Sequence, residues 1–404
     1  MFASRNRPFY YSTTFSYCKG IKRNYMKICA IICEYNPFHN GHLFQLQEAK
    51  RLSGADALLC LMSGNFVQRG EAAILEKKLR AKHALQAGAD IVLELPTPFA
   101  TSNAEIFAKG AVHILSSIPA VTHLAFGCET ANKTAIKLVA KSLNSEPKEV
   151  SERIKQAVAQ GKSYAKARSD AWAGFIDLEL LCSPNNILAL EYTRALYEKD
   201  SSIDILPIKR IGGGYNDKNL QGEYSSATAI REGIKSGADF EKSLPDFVKK
   251  DVPKSLENRL EVLEKYAILS KSTEEIKKVC DCTEGLENAF KKAATLSKSF
   301  AESLTSARYT SSRIRRIALQ NLLKIEENLI RESLQSPLYL RVLGVKKERS
   351  EVLAALSQSS FPLLVRAHDE DGLTGAAKKC YEADIFAEKI YAIVYEKNNA
   401  NKFI

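Results

Sequence analysis

Two histidines stand at the start of a predicted helix. His39 and His42 are three residues apart and follow the apolar run from Ile28 to Cys33. At this spacing both imidazoles fall on one face of a helix, at its N-terminal end. Such a pair can chelate a metal ion, or it can donate hydrogen bonds to the phosphate oxygens that a helix N-terminus attracts.

Phosphate binding accounts for this pair better than a metal site does. A metal needs a third ligand, and His83, His113 and His123 each lie in or beside an apolar pattern typical of core or surface histidines. Gly41, directly before His42, removes a side chain at the turn, so that a flat nucleobase can approach the backbone. The sequence therefore predicts a nucleotide site and neither zinc nor another protein-bound metal.

Apolar strands alternate with helices around this segment. The predicted strands are Ile28 to Cys33, Ala57 to Met62, Ile91 to Leu95, Thr122 to Phe126 and Ile203 to Ile208. The predicted helices begin near Gly41 and span Leu75 to Ala87, Glu105 to Leu115, Lys133 to Leu143 and Asn186 to Tyr197. Near-continuous apolar strands are covered on both faces, which predicts a parallel sheet with right-handed crossovers. Ligands bind beyond the carboxyl ends of such strands.

The character of the chain changes near residue 240. Beyond it, leucine, alanine and charged residues recur at helical spacing. We therefore predict an α/β protein with a Rossmann-like parallel-sheet nucleotide-binding domain at residues 26–240 and a mainly helical domain at residues 241–404.

Composition limits the class of protein. Hydrophobic residues make up 45% of the 404 residues and charged residues 26%, values typical of globular proteins, and no apolar run approaches the ~20 residues of a membrane span. The nine cysteines lack a Cys-x-x-Cys pair, which predicts reduced, buried thiols and a cytosolic location. Lysine and arginine (58) outnumber aspartate and glutamate (47), which favours an anionic partner.

Residues 1–25 differ from the rest of the sequence. They are basic, lack acidic residues, and are rich in aromatic and hydroxyl side chains, which superficially suggests a transit peptide. Met26, however, opens at once into the first strand pattern. We expect residues 1–25 to be a leader that results from a mis-assigned upstream start or is disordered.

Five ordered blocks carry a family resemblance. They are Glu34 to His42, Ser63 to Glu71, Glu94 to Pro96, Pro184 to Leu188 and Lys209 to Gly212. The first contains His39-Asn40-Gly41-His42, the His-x-Gly-His motif of a group of adenylyl-transferring enzymes. Together the blocks resemble the bacterial tRNA(Met) cytidine acetate ligases, from Met26 to about residue 350. Ala72 departs from the pattern, which has proline there.

The resemblance implies a nucleotidyltransferase domain and an ATP-dependent, carbon–nitrogen bond-forming ligase of the cytoplasm. Such an enzyme joins acetate to ATP, releases pyrophosphate, and transfers acetyl from the adenylate to N4 of the wobble cytidine, position 34, of elongator tRNA(Met). The product is N4-acetylcytidine. His39 and His42 would be the catalytic residues, acting as preorganised hydrogen-bond donors rather than as bases, while Mg²⁺ would screen the leaving pyrophosphate.

The resemblance also implies ATP contacts at three further positions and along the histidine segment. The segment residues are Ile32, Cys33, Glu34, Tyr35, Asn36, Pro37, Phe38, His39, Asn40, Gly41, His42, Leu43, Phe44 and Gln45. The further positions are Gly127, Asn185 and Arg210, for which a turn glycine, a helix cap and a surface cation are the respective alternatives.

A serine-rich segment and an arginine complete the candidate nucleotide site. Ser226, Thr228 and Arg231 resemble a loop of related nucleotidyltransferases, where they would hold the β and γ phosphates; helix capping is the alternative. Arg69 follows the second strand at the same sheet edge, where it can reach the nucleotide or the tRNA, or remain a solvent-exposed arginine.

An arginine cluster marks a candidate RNA surface. Arg313, Arg315 and Arg316 stand just before an apolar helical pattern, and arginine at this density can bind several phosphates. A solvated helix face is the alternative, although the nucleotidyltransferase resemblance and the positive net charge favour tRNA binding.

Two rival functions belong to other classes. One is an adenylyltransferase acting on a small phosphate ester, which rarely needs a further helical domain. The other is a non-catalytic RNA-binding protein on a nucleotidyltransferase scaffold. The intact histidine pair, the glycine between them and the serine-rich loop argue against the loss of activity that this reading requires.

Overall fold

A computed structural model describes residues 26–145, 147–173, 179–212, 220, 222–256 and 259–395. The predicted leader, residues 1–25, lies outside the described residues.

Nine strands are present in the described part of the chain. They are β1 (Ile28–Cys33), β2 (Ala57–Ser63), β3 (Phe66–Val67), β4 (Glu71–Ala72), β5 (Ile91–Leu95), β6 (Val121–Cys128), β7 (Asp204–Lys209), β8 (Leu340–Val345) and β9 (Leu363–Leu364). The five predicted strands are confirmed as β1, β2, β5, β6 and β7, with ends shifted by at most two residues.

Nineteen α-helices accompany these strands in the described ranges. In the first half they are α1 (Asn40–Ser53), α2 (Lys77–Gln86), α3 (Thr97–Ala100), α4 (Ala104–Leu115), α5 (Lys133–Asn144), α6 (Lys148–Ala159), α7 (Tyr164–Trp172), α8 (Glu179–Cys182), α9 (Pro184–Glu198) and α10 (Ala227–Ser236). In the second half they are α11 (Asp246–Lys249), α12 (Leu260–Leu269), α13 (Thr273–Ile276), α14 (Leu286–Ala293), α15 (Phe300–Leu304), α16 (Ser311–Leu323), α17 (Glu327–Gln335), α18 (Ser350–Leu356) and α19 (Gly375–Val394).

Seven strands form one sheet in the order β7-β6-β1-β2-β5-β8-β9. Strands β7, β6, β1, β2 and β5 are mutually parallel, which confirms the predicted α/β fold class. From β1 the strand order first runs to one side, through β2, and later continues on the other side of β1, where β6 pairs with it. This reversal creates a crevice between β1 and β6 at their carboxyl ends, the usual ligand position in such sheets.

Both faces of the sheet are covered. Ile28, Ala30 and Ile32 of β1 pack into one apolar cluster, whereas Cys29 and Ile31 pack into another on the opposite face. Successive side chains of a strand point to opposite faces, so a strand buried on both sides must be apolar at every position. This explains the near-continuous apolar runs in the sequence.

Residues 241–395 are mainly helical, but they also supply two strands to the sheet. Strand β8 pairs antiparallel with β5, and β9 pairs with β8. The sheet is therefore parallel over the five predicted strands, with one antiparallel pairing, between β5 and β8, that was not predicted. The predicted domain boundary at residue 240 remains a prediction, and the sheet itself includes residues from both sides of it.

The cysteines whose positions are described agree with the predicted thiols. Cys29, Cys33, Cys60, Cys128, Cys280, Cys282 and Cys380 are buried and form no disulfide. Among the helices in the described ranges, none is long and apolar enough to cross a membrane.

Candidate active site at the carboxyl edge of the sheet

A cleft that is open to solvent lies at the crevice between β1 and β6. Its walls come from the end of β1, the start of α1, the hairpin β3–β4, the end of β6, and the first turns of α9 and α10. Three helix N-termini therefore border one cavity. The positive end of each helix dipole favours an anionic ligand such as a phosphate chain.

The histidine pair is held in one tautomer by the backbone. Nδ1 of His39, the N-cap residue of α1, accepts a hydrogen bond from the Gly41 N–H at 3.1 Å. Nδ1 of His42 accepts from the His39 N–H at 3.4 Å, and the two rings stack with their centroids 3.7 Å apart. Because Nδ1 accepts in both rings, a neutral ring carries its proton on Nε2. Both side chains line the cleft, where they can present Nε2–H donors.

Burial keeps both imidazoles neutral. It lowers the pKa of His39 to about 3, with further contributions from the positive charges of Arg210 and Arg231. It also lowers the pKa of His42 well below its ordinary value, assisted by His39 and Arg210. A neutral Nε2–H ring near pH 7 can donate a hydrogen bond but cannot also accept a proton at that nitrogen. The geometry thus favours the donor role and disfavours a general-base role.

Arginines give the cleft its positive character. Arg69, Arg210 and Arg231 line it, opposed by the carboxylates of Glu34 and Glu71. Burial raises the pKa of Glu34, although the charge of Arg231 opposes this shift and the Gln68 N–H donates to its Oε1 at 2.8 Å. Planar guanidinium groups can bind phosphate oxygens in pairs. This arrangement suits a polyanionic ligand.

The alternatives for Gly127, Asn185 and Arg210 can now be judged. Gly127 lies within β6 rather than in a turn, and a Cβ there would stand 3.4 Å from Arg210 Cγ. Asn185 is not the cap of α9, because Ser183 is the N-cap residue. The side chain of Asn185 instead donates a hydrogen bond to the Glu129 carboxylate at 2.7 Å. Arg210 borders the cleft and is not a remote surface cation. All three positions border the cavity, as the resemblance implies.

The serine-rich segment combines capping with a place in the cleft. Ser226 is the N-cap residue of α10, and its side chain accepts a hydrogen bond from the Ala229 N–H at 3.0 Å. Ser226, Thr228 and Arg231 all line the cleft. Arg231 also donates to the backbone oxygen of Asn36 at 2.7 Å, which fixes it beside the histidine segment.

The structure separates the predicted ATP contacts of the histidine segment into groups. Those that line the main cleft are Ile32, Cys33, Glu34, Tyr35, Asn36, His39, His42 and Gln45. Gly41 and Phe44 line a smaller side pocket that shares the histidines. Pro37, Phe38, Asn40 and Leu43 line neither cavity. Phe38 instead packs in the core against Tyr35, and Asn40 donates to the backbone oxygens of Glu223 and Lys242.

Sequence reasoning missed two features of the site. One is an apolar wall formed by Phe107, Phe126, Leu188 and Tyr192, whose residue types look like ordinary core in the sequence. The other is Arg80, which is fully buried and donates to the backbone oxygens of Glu34, Ser63 and Gly64. Arg80 thereby fixes the carboxyl ends of β1 and β2. In the sequence it looks like an ordinary exposed cation of an amphipathic helix.

The arginine cluster lies beside the cleft, but its members have different environments. Arg313 donates to Asp281 O at 2.8 Å, and Arg315 donates to Arg69 O at 3.2 Å. Arg316 is only 9% exposed and pairs with Asp281 at 3.5 Å. Burial and pairing disfavour the predicted contact of Arg316 with RNA phosphates, because a guanidinium in this environment is less accessible than those of Arg313 and Arg315.

Comparison with known proteins gives a consistent result. A model of the HIGH Nucleotidyl Transferase family matches residues 26–403. The tRNA(Met) cytidine acetate ligase of Thermoanaerobacter sp. (strain X514) is 38% identical over 391 residues, covering 93% of this chain and 97% of the relative. That of Thermosipho africanus (strain TCF52B) is 35% identical, with the same coverage. The chain belongs to the tRNA(Met) cytidine acetate ligase family.

Solved structures of this family share the fold. The crystal structure of Thermotoga maritima TmcAL in its apo form I superposes with a TM-score of 0.83 at 30% identity, covering 91% of this chain and 95% of that one. The form II crystal structure of the same protein is bound with alpha-thio ATP and gives a TM-score of 0.81 at 30% identity, covering 91% and 94% of the two chains. A protein with this architecture therefore binds an analogue of ATP.

Proposed function

We propose that this protein activates acetate with ATP and transfers the acetyl group to N4 of the wobble cytidine of elongator tRNA(Met). The decisive observation is the pair of neutral imidazoles, each with its Nδ1 occupied by a backbone N–H, at a cleft bordered by three arginines. The choice of acetate and tRNA(Met) as substrates is based on the family relationship, which covers 93% of this chain. We place the reaction in the cytoplasm, where ATP and tRNA are both present.

The first step forms acetyl-adenylate. An acetate oxygen attacks the α-phosphorus of ATP, the new P–O bond forms, and the bond to the β-phosphate bridging oxygen breaks to release pyrophosphate. Negative charge shifts onto the phosphoryl oxygens during attack. His39 and His42 lower the barrier by donating Nε2–H hydrogen bonds to these oxygens, without reorganising, because the backbone already fixes their rings.

The pyrophosphate portion is held at the start of α10. The N-terminus of that helix and Arg231 face the cleft and are suited to the β and γ phosphates. Within the described ranges, no group of three His, Cys, Asp or Glu side chains is placed to hold a metal ion. Mg²⁺ is bound in such sites mainly by phosphate oxygens and water, so the proposed ion accompanies ATP and screens its charge.

The second step transfers the acetyl group. The N4 amine of cytidine attacks the acetyl carbonyl carbon, the C–N bond forms, and the C–O bond to AMP breaks. The amine loses one proton to water, and AMP leaves as the phosphate anion. This step chiefly requires that the RNA place its base at the open side of the cleft.

We propose that Arg313 and Arg315, without Arg316, contribute to the surface that binds the tRNA backbone. Both are partly exposed in the first turns of α16, and Arg315, with 31% of its side chain exposed, lies beside Arg69 and Glu71 of the cleft wall. Phosphate contacts of this kind add affinity for any RNA and do not read its sequence.

Replacing both Arg313 and Arg315 by alanine is expected to weaken tRNA binding and reduce the salt slope of log Kd by about two units. At saturating ATP, acetate-dependent exchange of pyrophosphate into ATP should remain largely unchanged, because neither arginine lines the cleft. Titration of labelled tRNA at several salt concentrations measures the first effect. An unchanged salt slope would place the RNA surface elsewhere.

The proposed function is tested with purified protein, ATP, labelled acetate and an elongator tRNA(Met) transcript. We expect label in the RNA, dependent on ATP and lost when position 34 is changed from cytidine to uridine. Adenylylation of a small phosphate ester without RNA labelling would support the first rival function. RNA binding without any ATP consumption would support the non-catalytic one.

A further inference from the structure

A short hairpin connects the nucleotide cleft to helix α16. Its strands, β3 and β4, flank a turn in which the Gly70 N–H donates to Val67 O at 2.9 Å. Gly70 has φ +73°, and a Cβ there would lie 2.5 Å from the backbone nitrogen of Arg316. Only glycine allows so close an approach. The hairpin tip is therefore fixed against the backbone of the arginine cluster.

One carboxylate of this hairpin stands between two arginines of different elements. Glu71 Oε1 lies 3.4 Å from Nε of Arg315 on α16. Its Oε2 lies 3.7 Å from Nη2 of Arg231 on α10. The two pairs are loose enough to exchange partners, because neither has the short distance of a fully formed charge-assisted hydrogen bond.

The two arginines face different ligands under the proposed function. Arg231 lines the cleft near the proposed site of the β and γ phosphates, and Arg315 belongs to the proposed RNA surface. We propose that Glu71 is a positioning residue that makes the binding of a nucleoside triphosphate and the binding of RNA mutually antagonistic. This inference rests on the proposed function, because it assigns ATP to one arginine and RNA to the other.

The antagonism follows from the charges. When a triphosphate attracts Arg231, Glu71 loses one of its two partners. The Glu71 carboxylate then pairs with Arg315 alone, and Arg315 has less affinity for an RNA phosphate. When pyrophosphate leaves, Arg231 returns to Glu71 and Arg315 becomes available. RNA binding is therefore weak while the triphosphate is bound and strong once acetyl-adenylate has formed. Coupling between binding sites is reciprocal, so RNA must weaken triphosphate binding by the same factor.

The test compares RNA affinity with different nucleotides in the cleft. We would titrate labelled elongator tRNA(Met) transcript into the full-length protein without nucleotide, with saturating AMP, and with saturating α,β-methylene ATP. For the unaltered protein we expect the triphosphate analogue to weaken tRNA binding about three- to fivefold, the range of an ion pair worth up to about 1 kcal/mol, and AMP to have little effect.

Glu71→Gln keeps the size of the side chain and removes its charge. In this variant we expect the difference between the analogue and AMP to shrink to less than about half its original value on a logarithmic scale. Glu284→Gln is the matched control, because Glu284 pairs with Arg308 at 2.9 Å and does not line the cleft. That variant should retain the full difference.

The possible outcomes distinguish a failure of this inference from a failure of the proposed function. If tRNA and nucleotide both bind but do so independently, the coupling is refuted and the proposed function stands. If the antagonism persists in Glu71→Gln, direct repulsion between the two ligands explains it and Glu71 has no such role. If the unaltered protein binds neither ligand, the proposed function and the inference fail together.

Discussion

Replacing His42 by alanine is expected to lower acetate-dependent exchange of pyrophosphate into ATP by roughly 10²- to 10³-fold, the effect of losing one preorganised oxyanion donor. The same loss is expected for His39. In each case the Nε2–H donor disappears from the cleft, while the arginines proposed to bind the ground-state phosphates remain. The decrease should therefore appear mainly in kcat and less in the KM for ATP.

His39 requires a control that separates catalysis from folding, because its ring also caps helix α1. Alanine at an N-cap position costs about 1 kcal/mol, whereas asparagine is among the best capping residues. His39→Asn should therefore keep the melting temperature close to that of the unaltered protein and still lose the exchange activity. If His39→Asn or His42→Ala retains near-normal kcat, these imidazoles do not act on the reacting phosphate.

The main features of the site were predictable because its residues are local in sequence. His39, Gly41 and His42 share one helix start, and the strand before them is apolar at every position, so pattern and position agree. Gly127, Asn185 and Arg210 came from the family resemblance alone. Their common position at the cleft depends on the order of β1, β6 and β7 in the sheet, which residue spacing does not reveal.

Features that depend on long-range contacts were missed. Strand β8 lies about 245 residues after β5 and pairs with it at the far side of the sheet, after a long helical stretch. Arg316 was assigned to the RNA surface because arginines of one cluster look alike in sequence. The burial of Arg316 is set by its contacts with Asp281 and with the hairpin tip at Gly70, and neither residue is close to it in the sequence.

A buried charge network joins the sheet to the C-terminal part of the chain. Lys77 pairs with Glu94 of β5 and with Glu388 of α19. Arg341 of β8 lies 3.0 Å from Glu94 and 2.9 Å from Glu388. Glu94 is almost completely buried, with 1% of its side chain exposed, and both cations lie against its carboxylate. The network lies across the predicted domain boundary, since Lys77 and Glu94 precede residue 240 and the other two follow it.

Replacing Arg341 by alanine is expected to destabilise the protein by roughly 3 kcal/mol, the lower end of the range for breaking a buried ion pair, because Lys77 still compensates part of the Glu94 charge. The single tryptophan, Trp172, lies buried in the first half of the chain and reports on that half alone. If both halves unfold as one cooperative unit, Arg341→Ala should lower the urea midpoint of Trp172 fluorescence and of far-ultraviolet circular dichroism equally.

Arg153→Ala, which removes an exposed pair with Glu149, is the control and should leave both midpoints nearly unchanged. A shift in circular dichroism without a shift in Trp172 fluorescence would mean that the C-terminal part unfolds independently and that β8 contributes little to the stability of the nucleotide-binding part.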